Sequence, residues 1–153
     1  MRIAIVCQSY PPMVSGAALV IQRLVEGLSD RGHSVLVLSS SDQGHRYTEN
    51  NGELEIVRLE SLRNPLRVDQ NFVFWSYDHI YDELMRFQPN ILHTHDPLNL
   101  GVASIRAAYK FNIPSIFTIH QLPWFITTYL PITIQVKTFF ENRIWQYSQW
   151  FMQ

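Results

Sequence analysis

Apolar residues recur along the chain in two rhythms, short unbroken runs and longer stretches at three- to four-residue spacing. Arg2 to Cys7 (RIAIVC) is a nearly continuous apolar run, the pattern of a strand buried on both faces of a parallel sheet. Gln8 to Gly16 reads as a loop stiffened by Pro11-Pro12. A helix follows to about Arg31, with Leu19, Leu24 (or Val20 and Arg23) and Leu28 as its apolar stripe. Gly32 stops it, and Ser34 to Ser39 (SVLVLS) is a second buried strand. Ser40 to Gly52 is polar and predicts a surface loop. Leu54 to Leu59 (LEIVRL) alternates apolar and charged residues, which predicts a more exposed third strand.

Beyond a loop at Glu60 to Val68, with Asn64-Pro65 as its turn signal, Asp69 is placed to cap a helix running to Phe87. Its apolar side is Val73, Tyr77, Ile80 or Tyr81, and Leu84, and Pro89 closes it. Ile91 to His95 is a fourth strand, and Leu98 to Phe111 a helix with Val102, Ile105 and Ala108 facing inward. Pro114 to Ile119 (PSIFTI) is a fifth strand. Strands alternating with helices at this spacing predict an α/β fold: a Rossmann-like, doubly wound parallel sheet in three layers.

The end of the chain follows a different pattern. From Phe111 to Val136 there is no Asp, Glu, Lys or Arg, yet Pro114, Pro123 and Pro131 interrupt the stretch, so it cannot be one spanning helix. Leu122 to Thr133 reads as an apolar, aromatic loop. Ile134 to Gln153 reads as a helix with Val136, Phe140, Ile144, Tyr147 and Phe151 on one face and Phe139, Trp145 and Trp150 off it. That stripe suits core packing. The alternatives are a face for a second domain, a lipid acceptor or a membrane surface, with Lys137 and Arg143 on the polar side.

Composition narrows the field. The 153 residues suffice for one domain, and a net charge of −1 gives no electrostatic hold on nucleic acid. The lone cysteine, Cys7, can form no disulfide within the chain, which points to a reducing compartment, the cytoplasm. The N-terminal apolar run is too short for a signal peptide.

The candidate chemistry gathers at strand ends. Ligands of doubly wound sheets bind beyond the carboxyl ends of the strands. Three loops share that rim, Gln8–Gly16, His95–Leu100 and His120–Trp124, and bring Tyr10, Ser15, Gly16, His95, Asp96, His120, Gln121 and Trp124 to it. The first loop runs into a helix amino terminus, where unpaired N–H groups and the dipole stabilise an anion such as phosphate. Gly16, Ala17 and Ala18 let a ligand approach the backbone there, or equally pack a plain βαβ crossover. His93 and His95 lie two apart on a strand and face one side. His93 reads as a partly buried histidine with a satisfied ring. His95 and Asp96 could hold a hydroxyl-rich ligand or accept a proton.

The order YPPMVSGAA, a helix ending RGHSV, RFQPNILHTHDPLNLG and then AAYKFNIPSIFTIH resembles the N-terminal domain of the family 4 retaining glycosyltransferases, over Met1 to about His120. The resemblance implies the N-terminal half of a GT-B fold, two Rossmann-like domains facing across a cleft. It implies a nucleotide-sugar donor, a hydroxyl acceptor, no metal and no other cofactor. Ser15, Gly16 and Ala17 would approach the donor diphosphate, with Ser15 standing where many members carry glycine. His120 would contact the donor sugar and assist transfer. Tyr10, His95 and Asp96, with Trp124 on the same rim, would line the acceptor side. The SGAA loop and the aromatic closing segments look most like diacylglycerol glucosyltransferases. That implies a membrane-lipid acceptor and peripheral contact with the cytoplasmic face of the membrane.

The family's second domain carries a Glu-x7-Glu pair, and no two glutamates here have that spacing. Residues 1–153 are therefore expected to be one acceptor-side domain, with the donor-binding domain outside them. Other readings remain. A nicotinamide or flavin enzyme needs G-x-G-x-x-G, which this loop lacks. A metallohydrolase could use His93-Thr94-His95-Asp96, and a non-catalytic binding module or a sugar-nucleotide epimerase could share the fold. Purified residues 1–153 are expected to show little or no sugar transfer; robust turnover by this segment alone would overturn the acceptor-half reading.

Overall fold

A computed structural model of the chain describes residues 1–63, 71–73, 76–96 and 99–120, and beyond them 138, 139, 141–143, 145, 146 and 149. The chain divides into two compact units, Met1–Thr118 and Ile119–Gln153. The first is built around a six-stranded sheet. Its strands are β1 (Arg2–Cys7), β2 (Ser34–Ser40), β3 (Tyr47–Asn51), β4 (Leu54–Leu59), β7 (Ile91–Thr94) and β8 (Ser115–Phe117). The helices are α1 (Gly16–Ser29), α2 (Ser76–Phe87) and α3 (Asn99–Lys110), and β5 (Leu62–Arg63) pairs with β6 (Asn71–Phe72) in a separate ribbon.

The sheet order is β3-β4-β2-β1-β7-β8, with every pairing parallel except β3 against β4. β1 is the oldest-in-sequence strand and also central: it pairs with β2 through Arg2–Cys7 and with β7 through Ile3–Val6. Its residues Ile3 to Cys7 are all buried, as an unbroken apolar run requires. One face packs Ile3, Ile5, Val35 and Val37 against Ile21 and Val25 of α1. The other packs Ala4, Val6, Leu36 and Leu38 against Ile80 and Leu84 of α2 and Leu100 and Ala107 of α3. Helices on both faces make the three-layer doubly wound architecture expected from the alternation of elements.

Helix ends follow local chemistry. Ser15 caps α1, its Oγ accepting the N–H of Ala18 at 3.1 Å, a contact worth about 1 kcal/mol. Gly32, at φ +77°, ends the helix as anticipated. Gln88 and Asn112 take left-handed conformations just past α2 and α3. Arg2 ties β1 to the end of α2: its Nε donates to the Phe87 carbonyl at 2.6 Å, and its guanidinium lies 4.6 Å from the Phe87 ring centroid.

Several expectations are corrected. The buried stripe of α1 is Ala18, Ile21 and Val25, flanked by half-buried Leu24 and Leu28, while Leu19 and Val20 are exposed. Nearly every residue from Ala17 to Ile21 is apolar, so periodicity alone leaves the phase of the stripe undefined. In α3 the buried side is Leu100, Gly101, Ala103, Ser104, Ala107 and Ala108, with Val102 and Ile105 only half-buried. Small residues face the sheet there because the helix approaches it closely. The predicted surface loop at Ser40–Gly52 contains strand β3. The helix expected from Asp69 begins at Ser76, and Asn71–Phe72 is a strand instead. Asp69 and Asn64-Pro65 lie outside the described residues, as do the Leu122–Thr133 loop and Val136, Phe140, Ile144, Tyr147, Trp150 and Phe151. The described residues of the closing segment are helical, and Phe139 and Trp145 are exposed, consistent with their place off the apolar stripe.

The third strand is the most informative correction. β4 is interior, between β2 and β3, and Val57, Arg58 and Leu59 are all buried. Its charged residues, Glu55 and Arg58, are three positions apart and so fall on opposite faces. A strand with one charge on each face has no single solvent side, and what looked like alternation is a covered strand with a buried arginine.

Gly101 shows where packing is tightest. A Cβ built on it would lie 1.7 Å from the Asp96 carbonyl oxygen and 3.3 Å from Thr94 Oγ1. Replacing Gly101 with alanine is expected to destabilise the protein by about 1–3 kcal/mol, the usual cost of overpacking; a urea denaturation midpoint unchanged from wild type would show that α3 can shift outward freely.

Candidate functional site

The sheet's topology sets the site. From β1 the chain crosses to β2 on one side and later returns to β7 on the other, so a crevice opens beyond the carboxyl end of β1. The backbone ladder persists to the lip of that crevice. His95 N–H donates to the Val6 carbonyl at 2.8 Å, and Thr118 N–H to the Thr94 carbonyl at 2.9 Å. The residues after β1 and β7 are thereby brought to one edge.

His95 and Asp96 form part of the floor, both buried. The rings of His93 and His95 lie with centroids 4.0 Å apart and planes tilted by 33°, so the two do share a side of the strand. His93 Nε2 lies 2.8 Å from Thr118 Oγ1, the satisfied strand histidine that its position suggests. Asp96 Oδ2 accepts the N–H of Gly101 at 3.1 Å. The carboxylate thus caps α3 from the site side and places its negative charge where the helix dipole favours it.

Tyr10 is buried, packed with Cys7 and Ile21 in the α1-facing core. Burial, above all, pushes its phenol up to about 12, so it stays protonated at neutral pH. Cys7 is likewise held inert, its thiol pushed up to about 12 by burial. Ser15, Gly16 and Ala17 lie at the open mouth of α1. Ser15 adopts an ordinary extended conformation and uses its hydroxyl as the helix cap. Gly16 is exposed, has no unusual backbone angle, and a Cβ on it would meet nothing within 4 Å. The fold itself makes no demand for glycine at that position.

One contributor escaped the sequence reading. Arg58, fully buried on β4, donates through Nε to Glu49 Oε1 at 2.8 Å, through Nη1 to the Tyr10 carbonyl at 3.4 Å, and through Nη2 to the Pro11 carbonyl. The only sequence signal was a charge out of phase with its strand. His120 falls in the second unit, three residues beyond β8, and Trp124 and Gln121 lie outside the described residues. Among the described residues no group of three or more His, Cys, Asp or Glu side chains could hold a metal ion, and no helix is long and apolar enough to cross a membrane.

Partial burial lowers the pKa of His120 below its ordinary 6.5. The folded protein then binds fewer protons at this site than the unfolded chain does. The His120 contribution to stability is fully present above pH 6.5, declines as pH falls through 6.5 toward the folded pKa, and levels off below it. Histidine ring NMR is expected to give His120 a titration midpoint below that of a free histidine; a midpoint at or above 6.5 would refute the burial argument.

Residues 14–153 match the family profile Glycosyltransferase Family 4. The alpha-monoglucosyldiacylglycerol synthase of Streptococcus pneumoniae is 30% identical over 121 residues, covering 78% of this chain and 26% of that protein. The GDP-mannose-dependent alpha-mannosyltransferase of Corynebacterium glutamicum is 33% identical over 119 residues, covering 76% of this chain and 28% of that protein. The chain thus spans about a quarter of the length of these curated relatives. In fold it resembles sucrose-phosphate synthase from Thermosynechococcus elongatus, with TM-score 0.53 at 14% identity, over 94% of this chain and 40% of that one. It also resembles the catalytic domain of starch synthase IV from Arabidopsis thaliana, with TM-score 0.50 at 13% identity, over 80% of this chain and 34% of that one. These likenesses agree with a Rossmann-like half of the GT-B architecture, and the chain belongs to glycosyltransferase family 4.

Proposed function

We propose that these residues form the acceptor-side domain of a retaining glycosyltransferase that moves a sugar from a nucleotide-sugar donor to a hydroxyl acceptor. The donor-binding half is a second Rossmann-like domain outside residues 1–153; the short share of each relative that this chain covers supports that division. The observation that carries the reading is the mouth of α1. The first-turn N–H groups of a helix have no intrahelical partner. Ser15 Oγ takes that of Ala18, and the Ser15 carbonyl takes that of Leu19 at 3.1 Å. Gly16 and Ala17 therefore present the N–H groups that helix bonding does not use, beside a glycine that the fold does not require.

In this reading the donor diphosphate lies against Ser15, Gly16 and Ala17. The acceptor hydroxyl attacks the anomeric carbon from the face the nucleoside diphosphate leaves. The new bond joins anomeric carbon to acceptor oxygen, the bond to the phosphate oxygen breaks, and that oxygen takes the acceptor's proton, so configuration is retained. Negative charge grows on the leaving phosphate, where preorganised N–H groups and the helix dipole stabilise it. No metal or other cofactor has a part in these steps. His120, whose pKa partial burial lowers, contacts the donor sugar and assists transfer. Tyr10, His95 and Asp96, with Trp124, line the acceptor side.

For the acceptor we favour a membrane lipid, supported by the alpha-monoglucosyldiacylglycerol synthases of Streptococcus pneumoniae and Acholeplasma laidlawii among the relatives. The GDP-mannose-dependent mannosyltransferases favour a second choice of donor sugar within the same reaction class. The enzyme works in the cytoplasm, in peripheral contact with the membrane face. Neither choice changes the roles given to the chain's own residues.

In the full-length enzyme, Gly16→Val is expected to lower transfer about a hundredfold by keeping the diphosphate off the backbone, and His120→Ala to cause a loss of similar order. Because a Cβ at Gly16 would meet nothing within 4 Å, the Gly16→Val melting temperature is expected to stay close to the wild-type value. Steady-state kinetics and a thermal melt check both points; undiminished turnover in either variant would mean the donor lies elsewhere.

A further inference from the structure

Arg58 occupies a place where an apolar residue would satisfy the fold. Along β4 it follows Leu54 and Ile56 on the face that packs toward α1, and it is 1% exposed. Exchanging a buried ion pair for packed apolar groups is often neutral or stabilising, so the guanidinium is not explained by stability alone. Its bonds show what it does. Only the Nε contact, to Glu49 on the neighbouring β3, stays within the sheet, and Glu49 is itself about half exposed. The two Nη groups reach out to the consecutive carbonyls of Tyr10 and Pro11, and the guanidinium carbon lies 5.4 Å from the Tyr10 ring centroid.

The loop needs such an outside donor. Pro11 and Pro12 have no N–H, so this part of the chain cannot join a backbone ladder. Its own contribution is a single turn bond, Met13 N–H to the Tyr10 carbonyl at 3.2 Å. Ser40 Oγ holds the start of the loop by donating to the Gln8 carbonyl at 2.5 Å. Ser15 fixes the end that enters α1, and Arg58 holds the stretch that carries Tyr10 and Pro11. We propose that Arg58 is a positioning residue for the acceptor side: it sets the height of Tyr10 and the Pro11 carbonyl against the sheet, and leaves the donor-phosphate end at Gly16 to the Ser15 cap. The acceptor role rests on the proposed function; the loop-holding role rests on the bonds alone.

The test uses the full-length enzyme with Arg58→Met, Arg58→Lys and Glu49→Gln. Arg58→Met is expected to raise the acceptor KM about tenfold and leave the donor KM within about twofold. Arg58→Lys, which keeps a charge but loses the fork, should recover part of that loss. Glu49→Gln should stay near wild type in both constants, because the carbonyl contacts of Arg58 remain. Amide hydrogen exchange gives a readout independent of turnover: faster exchange at Ser9, Tyr10 and Met13 in Arg58→Met, with Leu19 to Ile21 unchanged. Unaltered exchange in the loop, or a loss of active enzyme with both KM values unchanged, overturns the proposal. If Arg58→Met fails to fold, Arg58→Lys is read by the same two criteria. A wild-type enzyme that transfers no sugar defeats the proposed function and the acceptor role together, while exchange still reports whether Arg58 holds the loop.

Discussion

The first strand can lie only in the middle of the sheet, and most of the architecture is a consequence of that. Its residues Ile3 to Cys7 are apolar on both faces, so both faces must be covered, and its two edges must be paired. Parallel neighbours on both sides satisfy the edges, and crossover helices on both sides cover the faces. Parallel neighbours also align all carboxyl ends. The loops after β1 and β7 are therefore driven to one rim, and the crevice between them exists before any ligand is considered.

Within that frame, the rim residues divide by what they already do for the protein. Ser15 and Asp96 spend a side-chain oxygen each on a helix amino terminus. Tyr10 is half scaffold, its ring in the core and its carbonyl taken by Arg58 and Met13. Gly16 is the exception, with no structural task beyond opening the helix. These rim residues are held by bonds within the protein, so their positions are preorganised before any ligand arrives. The polar support extends outward to the β5–β6 ribbon. There Asn71 and Ser61 both donate to the Ser41 carbonyl at 2.6 Å, just beyond the end of β2.

Arg58 and Gly101 show how a second tier of residues supports the first. Arg58 belongs to no motif, and Gly101 closes the stretch RFQPNILHTHDPLNLG. Arg58 restrains the loop after β1 from two strands away. Gly101 lets the first turn of α3 close onto the backbone of Asp96. Each is intelligible only once elements remote in sequence are in contact, and each acts on a rim residue that sequence reasoning had already singled out.

The sequence by itself determined the class of fold and the identity of the strands that make the parallel sheet. Those follow from local periodicity and from turn residues such as Gly32 and Pro89. It also held the family resemblance, because motif order survives where overall identity is low. Tertiary structure alone decided the phase of α1 and α3, the pairing of β3 against β4, and the burial of Arg58. An apolar stretch such as Ala17 to Ile21 offers several equivalent stripes, and the shape of the surface opposite selects one. A polar segment such as Tyr47 to Asn51 becomes a strand only because an edge of β4 needs partners. An arginine becomes an interior residue only where carbonyls from a proline-stiffened loop and a carboxylate converge on it, and that convergence is a property of the folded chain.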